Sequence, residues 1–396
     1  MLCFVQLIKT VLALFLVLAL MLSLCACGAK TEAPAPEAAP SAASNEEPAA
    51  PVEEVQAPTA TDFEVTDLLG RTVTIPANAD AFACIGPGCL RLYTYVADAT
   101  QLVGVEDAEK SWGSSGRPYT MSIEDKIADL PVIGPGGPGN APDAELLFTA
   151  NPDVIFTMYN SDVSIIDELQ SKTGIPVVAL SYGDTEVFDQ HIYDSLTLIG
   201  KVTGHEDRAA EVVAYMQNLA TELGQMTANV ENKPSVYLGC QSNRGSHGIE
   251  STVGNYVLFD VLGIRNAAAE AGIPEYAMID KEKIIEMDPD IIVIDAGGYQ
   301  LLVEDYEANP EFYNSLRAFK EGKVFMQMPY NYYYTNLEIA MADAYYIGSV
   351  VYPELFANTD IQTKFAEISE FMLGMNCYDA IADEYYGGYQ AVTLGN

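Results

Sequence analysis

Basic residues are scarce in this chain. It has 19 lysines and arginines against 56 aspartates and glutamates in 396 residues, which gives a formal net charge of −37 at pH 7. Nucleic acids and anionic membrane surfaces attract proteins through clustered positive charge, so this composition argues against both as partners. The acidity is compatible with an exported and highly soluble protein.

Cysteine is also sparse, with seven residues in the whole chain. Beyond the N-terminal segment there are Cys84, Cys89, Cys240 and Cys377, which are too few for a disulfide framework in a domain of this size. Cys84 and Cys89 are close enough in sequence to bridge a short loop, and two buried free thiols are the alternative. The chain has no CxxC pair and no histidine-rich cluster, so nothing indicates a zinc site.

Catalytic motifs are missing as well. The chain has neither the GxSxG elbow of serine hydrolases nor the HExxH pair of zinc peptidases. Residues 134–139, Gly-Pro-Gly-Gly-Pro-Gly, formally match GxGxxG. Their two prolines lack N–H groups that a phosphate cradle requires. Ser246 precedes His247 without an identifiable acid to orient the imidazole. An enzyme is therefore not the first interpretation, and no cofactor is expected.

The first residues have the pattern of an export signal. Lys9 precedes an apolar run over residues 11–24, which is too short to span a bilayer comfortably. Such a run is typical of a signal-peptide core, with a transmembrane anchor as the alternative. Residues 24–28, Leu-Cys-Ala-Cys-Gly, resemble a bacterial lipobox, which implies cleavage before Cys27 and diacylation of its thiol. We therefore predict a lipoprotein signal peptide over residues 1–26.

A segment without folding capacity follows. Residues 27–60 are rich in alanine, proline and glutamate, and Val52 and Val55 are the only large apolar side chains after Cys27. Such a composition cannot bury enough apolar surface to fold. We interpret the segment as a disordered tether that, as a coil, keeps a folded body within roughly a few tens of Å of the membrane.

One stretch of the chain occurs twice. Residues 145–156, Glu-Leu-Leu-Phe-Thr-Ala-Asn-Pro-Asp-Val-Ile-Phe, align without a gap with residues 282–293, Glu-Lys-Ile-Ile-Glu-Met-Asp-Pro-Asp-Ile-Ile-Val. Each copy predicts a short helix, a turn at Pro-Asp where the preceding residue leaves the α region, and a buried strand. A helix–turn–strand unit used twice indicates two similar α/β lobes.

Strands alternate with helices along the rest of the body, which is typical of parallel sheets with helices on their faces. Two alternating runs over residues 63–76 predict a hairpin, and a long loop is expected around residues 112–119. Further on, a helix is predicted after Ser251 and another over residues 310–320.

The longest helical pattern covers residues 206–229, where apolar residues recur at three- and four-residue steps. We interpret it as a rigid connector within residues 205–230, between an N-terminal lobe over 61–204 and a C-terminal lobe over 231–396. An ordinary helix inside one lobe is the alternative. The predicted fold class is α/β, with two Rossmann-like lobes of mostly parallel sheets joined by one long connecting helix.

Arginines occupy equivalent places in the two lobes. Ligands of open α/β sheets bind beyond the carboxyl ends of strands, and in each lobe a loop of small residues carrying an arginine follows the first strand. These arginines are Arg91, in the first turn of a predicted helix where free N–H groups also favour anions, and Arg244. Arg117 is a third candidate. The alternative for each is pairing with one of the 56 acidic residues.

Tyrosines follow several predicted strands. Residues 330–336, Tyr-Asn-Tyr-Tyr-Tyr-Thr-Asn, lie between a strand and a helix, and four tyrosines so close cannot all point into a core. A phenol ring combines a flat apolar face with a hydroxyl, which suits a planar or polycyclic ligand; direct coordination of bare Fe(III) by phenolates is the alternative. The predicted ligand contacts are Arg91, Trp112, Arg117, Tyr119, Tyr159, Tyr182, Arg244, His247, Tyr299, Tyr330 and Tyr332. For His247, a solvated loop histidine is the alternative.

In their order along the chain, these features resemble a known family. The lipobox, the acidic tether, the start Asp-Leu-Leu-Gly-Arg-Thr-Val-Thr-Ile-Pro at residues 67–76, the two Pro-Asp lobes and the single connecting helix are similar to the substrate-binding proteins of ABC importers for ferric siderophores, haem and cobalamin. The similarity covers roughly residues 62–375. It implies a monomeric class III periplasmic binding protein, anchored by lipid alone at the extracytoplasmic face of a bacterial cell membrane.

The resemblance also implies how the protein works. Members of this family bind ligand between the lobes and deliver it to a membrane permease that is driven by an ATPase. A glutamate on each lobe, eight residues before the Asp of Pro-Asp, docks onto arginines of the permease. These positions are Glu145 and Glu282 here, and solvated helix carboxylates are the alternative.

The ligand expected from the residues is an anionic ferric siderophore, because arginine and tyrosine together suit such a chelate. We expect Arg91 and Arg244 to hold it from opposite walls while tyrosines stack on it. Cobalamin, haem or a metal oxyanion such as molybdate or tungstate are the alternatives within the fold. A surface hydrolase or a lipoprotein receptor without a permease are the alternatives from other classes.

Overall fold

The computed structural model describes residues 61–159, 162–184 and 187–395. The predicted signal peptide, the lipidation of Cys27 and the tether over residues 27–60 lie outside these residues. Within the described ranges, none of the helices combines the length and the apolar character needed to cross a bilayer.

The N-terminal lobe begins with the predicted hairpin and continues with a four-stranded parallel sheet. The hairpin strands β1 (Phe63–Thr66) and β2 (Thr72–Ile75) pair antiparallel. The sheet has the order β4-β3-β5-β6. Its strands are β3 (Phe82–Ile85), β4 (Leu102–Gly104), β5 (Val154–Thr157) and β6 (Val177–Ala179). Every residue of β3, β5 and β6 is buried, which accounts for sequences that are apolar except at Thr157.

The described residues of this lobe form six helices. They are α1 (Cys89–Val96), α2 (Asp107–Ser111), α3 (Pro118–Ile127), α4 (Ala144–Ala150), α5 (Val163–Thr173) and α6 (Gln190–Thr203). The prediction of one long loop around residues 112–119 is wrong, because α3 begins within that stretch. Pro118 stands at the first helical position, where its missing N–H costs nothing. Tyr119 is consequently fully buried in the first turn of a helix.

The long helix α7 (Glu206–Thr227) corresponds to the pattern predicted over residues 206–229. It packs against α6 and α1 of the N-terminal lobe and also against two helices of the C-terminal lobe, which span Val257–Val261 and Leu337–Val351. One continuous apolar core extends from the N-terminal sheet past α7 into the C-terminal lobe, through residues such as Leu92, Leu219 and Ile339. The two lobes therefore share core packing at the base of the cleft.

The C-terminal lobe contains a five-stranded sheet of order β13-β12-β11-β7-β9 and a separate antiparallel pair, β8 with β10. Its strands are β7 (Ser235–Gly239), β8 (Ser251–Val253), β9 (Arg265–Asn266), β10 (Tyr276–Met278), β11 (Ile291–Asp295), β12 (Val324–Gln327) and β13 (Gln390–Ala391). All pairings in the larger sheet are parallel except β12 with β13. The predicted α/β class with two lobes of mostly parallel sheet is confirmed.

Nine helices in the described part of this lobe complete the chain. They are α8 (Val257–Val261), α9 (Ala267–Glu270), α10 (Lys281–Met287), α11 (Tyr299–Ala308), α12 (Pro310–Ser315), α13 (Arg317–Lys320), α14 (Leu337–Val351), α15 (Ile361–Leu373) and α16 (Tyr378–Glu384). The helix predicted after Ser251 is α8, and the short strand β8, which begins at Ser251, precedes it. The helix predicted over residues 310–320 is interrupted at Leu316, which is extended and buried.

The repeated Pro-Asp turn has the same geometry in both lobes. Asn151 and Asp288, before each proline, end α4 and α10 with positive φ angles of 52° and 37°. The prediction that this residue leaves the α region is confirmed, and Asn and Asp tolerate the left-handed conformation better than most side chains. Oδ2 of Asp153 accepts from the backbone N–H groups of Asp80 and Ala81, at 2.9 and 3.0 Å.

The second Pro-Asp copy forms an equivalent hydrogen bond, which braces the start of its strand. Oδ2 of Asp290 accepts from the Ser235 N–H at 2.8 Å, at the start of β7. Each aspartate thus ties the beginning of its own strand to the beginning of the neighbouring one, which explains why the motif recurs.

Four thiols are buried in this body. Cys84, Cys89, Cys240 and Cys377 are all free cysteines. Of the two states left open for Cys84 and Cys89, the structure has the free thiols.

Replacing either bracing aspartate by alanine is expected to destabilise its lobe. Asp153→Ala and Asp290→Ala leave backbone N–H groups at a strand end without their acceptor, so each should lower the free energy of unfolding by about 1–3 kcal/mol. Denaturant titration of each variant measures this. Asp129→Ala, at an exposed position, is the control, and a loss no larger than that of the control would contradict the bracing role.

Candidate ligand-binding site

A loop of the C-terminal lobe fills part of the space between the lobes. Residues 330–336, here called the tyrosine loop, follow β12 and lead into α14. Tyr333 and Tyr334 both have positive φ, at 54° and 75°, a conformation that is uncommon for bulky side chains. Strained backbone of this kind concentrates at functional sites.

Arg91 of the N-terminal lobe holds this loop. Its Nη2 donates to the Tyr332 carbonyl at 2.8 Å, and its Nη1 donates to the Tyr333 carbonyl at 3.1 Å. Nε donates to Oδ1 of Asn336 at 3.0 Å, and the guanidinium carbon lies 4.5 Å from the centre of the Tyr119 ring. The Arg91 side chain has no exposed surface. It is thus a link between the lobes, with its donors engaged by the protein.

Close packing surrounds this link. Tyr182 is buried, and its hydroxyl donates to the Gly88 carbonyl at 3.2 Å. The Tyr182 ring lies 4.5 Å from that of Tyr334. A Cβ on Gly88 would come within 2.8 Å of the Tyr182 ring, and its φ is 81°, so only glycine fits here.

Arg117 is paired inside its own lobe. Its Nη1 lies 2.9 Å from Oε2 of Glu109, and both side chains are almost completely buried. The Tyr119 hydroxyl donates to the same carboxylate oxygen at 2.7 Å. Burial raises the pKa of Glu109, and the positive charge of Arg117 opposes that rise. For Arg117 the structure therefore has the acidic pairing that was the alternative to ligand contact.

Glu106 is a site residue that the sequence did not single out. Its Oε2 accepts from the Gly86 N–H at 2.9 Å and from the Tyr333 hydroxyl at 3.2 Å. Its Oε1 accepts from the Tyr159 hydroxyl at 3.0 Å. The side chain connects three loops at the carboxyl ends of strands, one of them from the other lobe. The signal was present, because Glu106 follows β4 just as the candidate tyrosines follow their strands.

Trp112 and Tyr332 lie at the solvent-facing edge of the contact between the tyrosine loop and the N-terminal lobe. Trp112 is 42% exposed, and its ring meets that of Tyr333 edge-on with centres 5.0 Å apart. The hydroxyl of the half-buried Tyr332 donates to the Trp112 carbonyl at 3.2 Å. These two aromatic side chains are accessible to a ligand that enters beside the tyrosine loop.

An open cavity of about 670 Å³ lies next to the tyrosine loop. It is formed mainly by C-terminal-lobe residues beyond β7 and β12 and around β8 and β10, with one N-terminal-lobe residue. Its lining residues are Asp184, Gln241, Ser242, Asn243, Val253, Asn255, Tyr256, Val257, Glu275, Tyr276, Tyr330 and Asn331. A cavity of this size at the carboxyl ends of strands is the expected place for a small-molecule ligand.

Several predicted contacts are not among the residues that line this cavity. Arg244 is exposed on the loop after β7. Nε2 of the half-buried His247 lies 2.8 Å from the Asn243 carbonyl. Tyr299 begins α11 and packs edge-on against Tyr386 at 4.8 Å. Tyr330, by contrast, belongs to the lining.

The arrangement differs from the predicted pair of arginines on opposite walls. Arg91 is enclosed by the tyrosine loop, whereas Arg244 is on the surface. The difference arises because loop carbonyls, rather than a ligand, satisfy the Arg91 donors. The assignment of these side chains as ligand contacts stays a prediction. Among the residues that the structure describes, no cluster of three or more acidic, histidine or cysteine side chains is placed to hold a metal ion.

The two predicted docking glutamates occupy equivalent exposed positions. Glu145 and Glu282 stand in the first turns of α4 and α10. An exposed apolar side chain follows each of them by three residues, Phe148 at 62% exposure and Ile285 at 46%. Each lobe therefore presents a carboxylate next to an apolar group on the same short helix.

Burial of carboxyl groups makes the stability of this body depend on pH. It raises the pKa of Glu106 and of Asp295 to about 7, and it raises those of Glu109, Glu338 and Asp343 as well. Between the ordinary carboxyl range and pH 7 the folded state binds more protons than the unfolded state, so stability is highest at the acidic end and falls as pH rises.

We expect a lower midpoint of thermal unfolding at pH 8 than at pH 5.5. Glu106→Gln and Asp295→Asn each remove a titrating group, so each should reduce the fall of the unfolding midpoint between pH 5.5 and pH 8. Asp129→Asn, at an exposed site, should leave that fall unchanged. Thermal unfolding followed by circular dichroism over this pH range is the measurement. A midpoint that rises from pH 5.5 to pH 8 would contradict the assignment.

Comparison with known proteins adds independent information. A family model described as periplasmic binding protein matches residues 91–329, which is more than half of the chain. A Bacillus subtilis protein named Fe(3+)-citrate-binding protein YfmC is 25% identical over 189 residues. The match covers 48% of this chain and 58% of the relative, so the chain spans little more than half of that protein's length.

Solved structures share the fold over most of the chain. A periplasmic solute binding protein from Veillonella parvula has a TM-score of 0.63 at 19% identity, covering 82% of this chain and 96% of its own. The TroA-like periplasmic binding protein FepB from Veillonella parvula has a TM-score of 0.61 at 22% identity, and the match covers 79% of this chain and 97% of FepB. The Haemophilus influenzae protein MolA, solved with molybdate, has a TM-score of 0.60 at 20% identity, and the match covers 80% of this chain and 99% of MolA.

Binding proteins of this family work with ABC permeases, and they are transport components rather than enzymes. The similar solved structures show the same two-lobed α/β architecture. On the family match, this chain belongs to the class III periplasmic binding proteins, the extracytoplasmic solute-binding components of ABC transporters.

Proposed function

We propose that this protein captures an iron chelate between its lobes and delivers it to an ABC permease. The observation that carries the proposal is the cavity beside the tyrosine loop. Its volume of about 670 Å³ suits an organic molecule of drug-like size, whereas a bare oxyanion such as molybdate needs far less space. The name of the Bacillus subtilis relative, an Fe(3+)-citrate-binding protein, supports iron as the metal.

Aromatic side chains give this cavity the surface that a chelate needs. Tyr256, Tyr276 and Tyr330 all line it, and each offers a flat apolar face with a hydroxyl at its edge. Trp112 and the half-buried Tyr332 add aromatic surface beside the tyrosine loop, outside the residues that line the cavity. In this proposal Arg91, Arg117, Tyr119, Tyr159 and Tyr182 act from behind the site, by fixing the tyrosine loop and the neighbouring loops.

Delivery to the permease is assigned to the exposed glutamates. Glu145 and Glu282 lie at matching positions on the two lobes, and each has an apolar neighbour, Phe148 or Ile285, on the same helix. A carboxylate beside an apolar side chain suits a partner surface of arginines set among apolar groups. Anchoring through Cys27 completes the proposal, since it keeps the binding protein close to the permease.

Ferric chelates should stabilise the purified protein, because a ligand that binds only the folded state raises its stability. At a ligand concentration of one hundred times Kd the gain is about 2.7 kcal/mol. Thermal-shift measurements with ferric hydroxamates, ferric catecholates, ferric citrate, haem, cobalamin and molybdate test this. Stabilisation by molybdate alone, or by none of these, would overturn the proposed ligand class.

A matched pair of variants locates the contact. Tyr276 lines the cavity, whereas the half-buried Tyr299 in the same lobe does not. Tyr276→Leu should reduce the shift caused by the bound chelate, and Tyr299→Leu should leave it unchanged. A larger loss of the thermal shift in Tyr299→Leu than in Tyr276→Leu would show that the ligand binds outside this cavity.

Charge reversal at both glutamates should abolish uptake without weakening ligand binding. The double variant Glu145→Arg with Glu282→Arg repels the arginines of the permease, while neither position is among the residues that line the cavity. Uptake of the iron-loaded chelate by cells, together with calorimetric affinity of the purified protein, separates the two effects. Glu124→Arg with Glu311→Arg, at exposed sites on other helices, is the control pair. Lost ligand affinity in the first pair would contradict the docking role.

A further inference from the structure

The cavity beside the tyrosine loop carries charge of one sign. Its carboxylates come from both lobes, Asp184 from the N-terminal lobe and Glu275 from the C-terminal lobe. No lysine, arginine or histidine is among the described residues that line it. A cleft lined by one sign of charge concentrates ligands of the opposite sign, and the strongly acidic chain around it adds to this field.

An unsatisfied acceptor in the lining points to the same kind of ligand. Gln241 is 5% exposed and belongs to the lining. Its Oε1 is buried and accepts no hydrogen bond within the part of the chain that the structure describes. A buried acceptor without a donor is costly, so a ligand that presents N–H or O–H groups gains by supplying one.

The basic side chains of the loop after β7 do not line the cavity. Arg244 is exposed to solvent, directly after Asn243 in the chain. Nε2 of His247 lies 2.8 Å from the Asn243 carbonyl oxygen, and the His247 ring lies 6.2 Å from that of Tyr276. The other polar lining side chains, Ser242, Asn255 and Asn331, are neutral. The charge that faces the ligand is therefore set by Asp184 and Glu275.

We propose that this cavity selects ligands of neutral or positive net charge that carry hydrogen-bond donors, and that it discriminates against polyanions. The inference rests on the proposed function, and it narrows the chemical class of the chelate. In ferric hydroxamates the singly charged chelating groups balance the ferric ion, and an added amine makes the complex cationic. Ferric catecholates and ferric citrate keep an excess of negative charge. The favoured ligand is thus a ferric hydroxamate rather than the anionic siderophore expected from the sequence.

Two ferric chelates that differ in a single charge test this inference. Ferrioxamine B carries a protonated amine, and its N-acetylated form is neutral with the same iron centre. With the purified full-length protein, calorimetric titration should give the order ferrioxamine B, then its acetylated form, then ferric citrate and a ferric tris-catecholate. Equal or tighter binding of the two anionic chelates would overturn the charge inference.

Variants assign the selectivity to the two carboxylates. Glu275 and Asp184 are both exposed. Glu275→Gln and Asp184→Asn should each weaken the binding of ferrioxamine B by about fivefold, near the upper end expected for an exposed charge pair, and should leave the binding of the acetylated form unchanged. Glu275→Lys should reverse the preference in favour of ferric citrate. Glu311→Gln, exposed and outside the cavity, is the control. Equal effects of Glu275→Gln on the cationic and the acetylated chelate would also overturn the inference.

Iron-free desferrioxamine B separates this inference from the proposed function. If the metal-free chelator binds as tightly as ferrioxamine B while the acetylated form binds weakly, charge selection holds and the iron-chelate function fails. If ferric citrate binds tightest and its metal-free form does not bind, the iron function holds and charge selection fails. If no member of the set binds, both fail.

Discussion

A buried positive charge organises the contact between the two lobes. The Arg91 guanidinium has no exposed surface, and backbone carbonyls and an amide oxygen, rather than a carboxylate, accept its short hydrogen bonds. Leaving such a charge unpaired would cost several kcal/mol. Left-handed backbone at Tyr333 and Tyr334 costs about 1–3 kcal/mol per residue. The Arg91 hydrogen bonds offset this strain, and they hold the tyrosine loop against the N-terminal lobe.

This link divides the tyrosine loop into two parts. Tyr330 and Asn331 line the open cavity, whereas Tyr332 and Tyr333 supply the carbonyls that Arg91 binds. A ligand that contacts the first part therefore acts on residues directly joined to the contact between the lobes. The shared apolar core around α7 limits how far the lobes can separate at their base. Tyr330 and Asn331 of the cavity lining thus directly precede the residues that join the two lobes.

Much of the fold could be predicted because it follows from local patterns. The hairpin, the buried strands, the long helix and the two Pro-Asp turns all depend on periodicity or on the conformational limits of proline and asparagine. The orientation of charged side chains at the cleft could not be predicted in this way. Whether Arg91 faces a ligand or a loop depends on residues about 240 positions later in the chain, and no local pattern contains that information.

The errors at the site have specific physical causes. Tyr119 was expected on an open loop, but Pro118 begins a helix there and directs the ring into the core. Glu106 was overlooked because a lone acidic residue after a short strand looks like a solvated one. Only tertiary packing buries it, and only then does it join Gly86, Tyr159 and Tyr333.

The burial of the four cysteines bears on how this protein matures. Burial raises the pKa of the Cys84, Cys240 and Cys377 thiols, so the reactive thiolate form is scarce in the folded state. An exported chain enters compartments in which disulfides form readily. Folding that encloses these thiols protects them from oxidants and from mispairing, and the native state needs no disulfide exchange to reach it. The thiols are therefore exposed to oxidation and mispairing only between export of the chain and burial of these residues in the folded core.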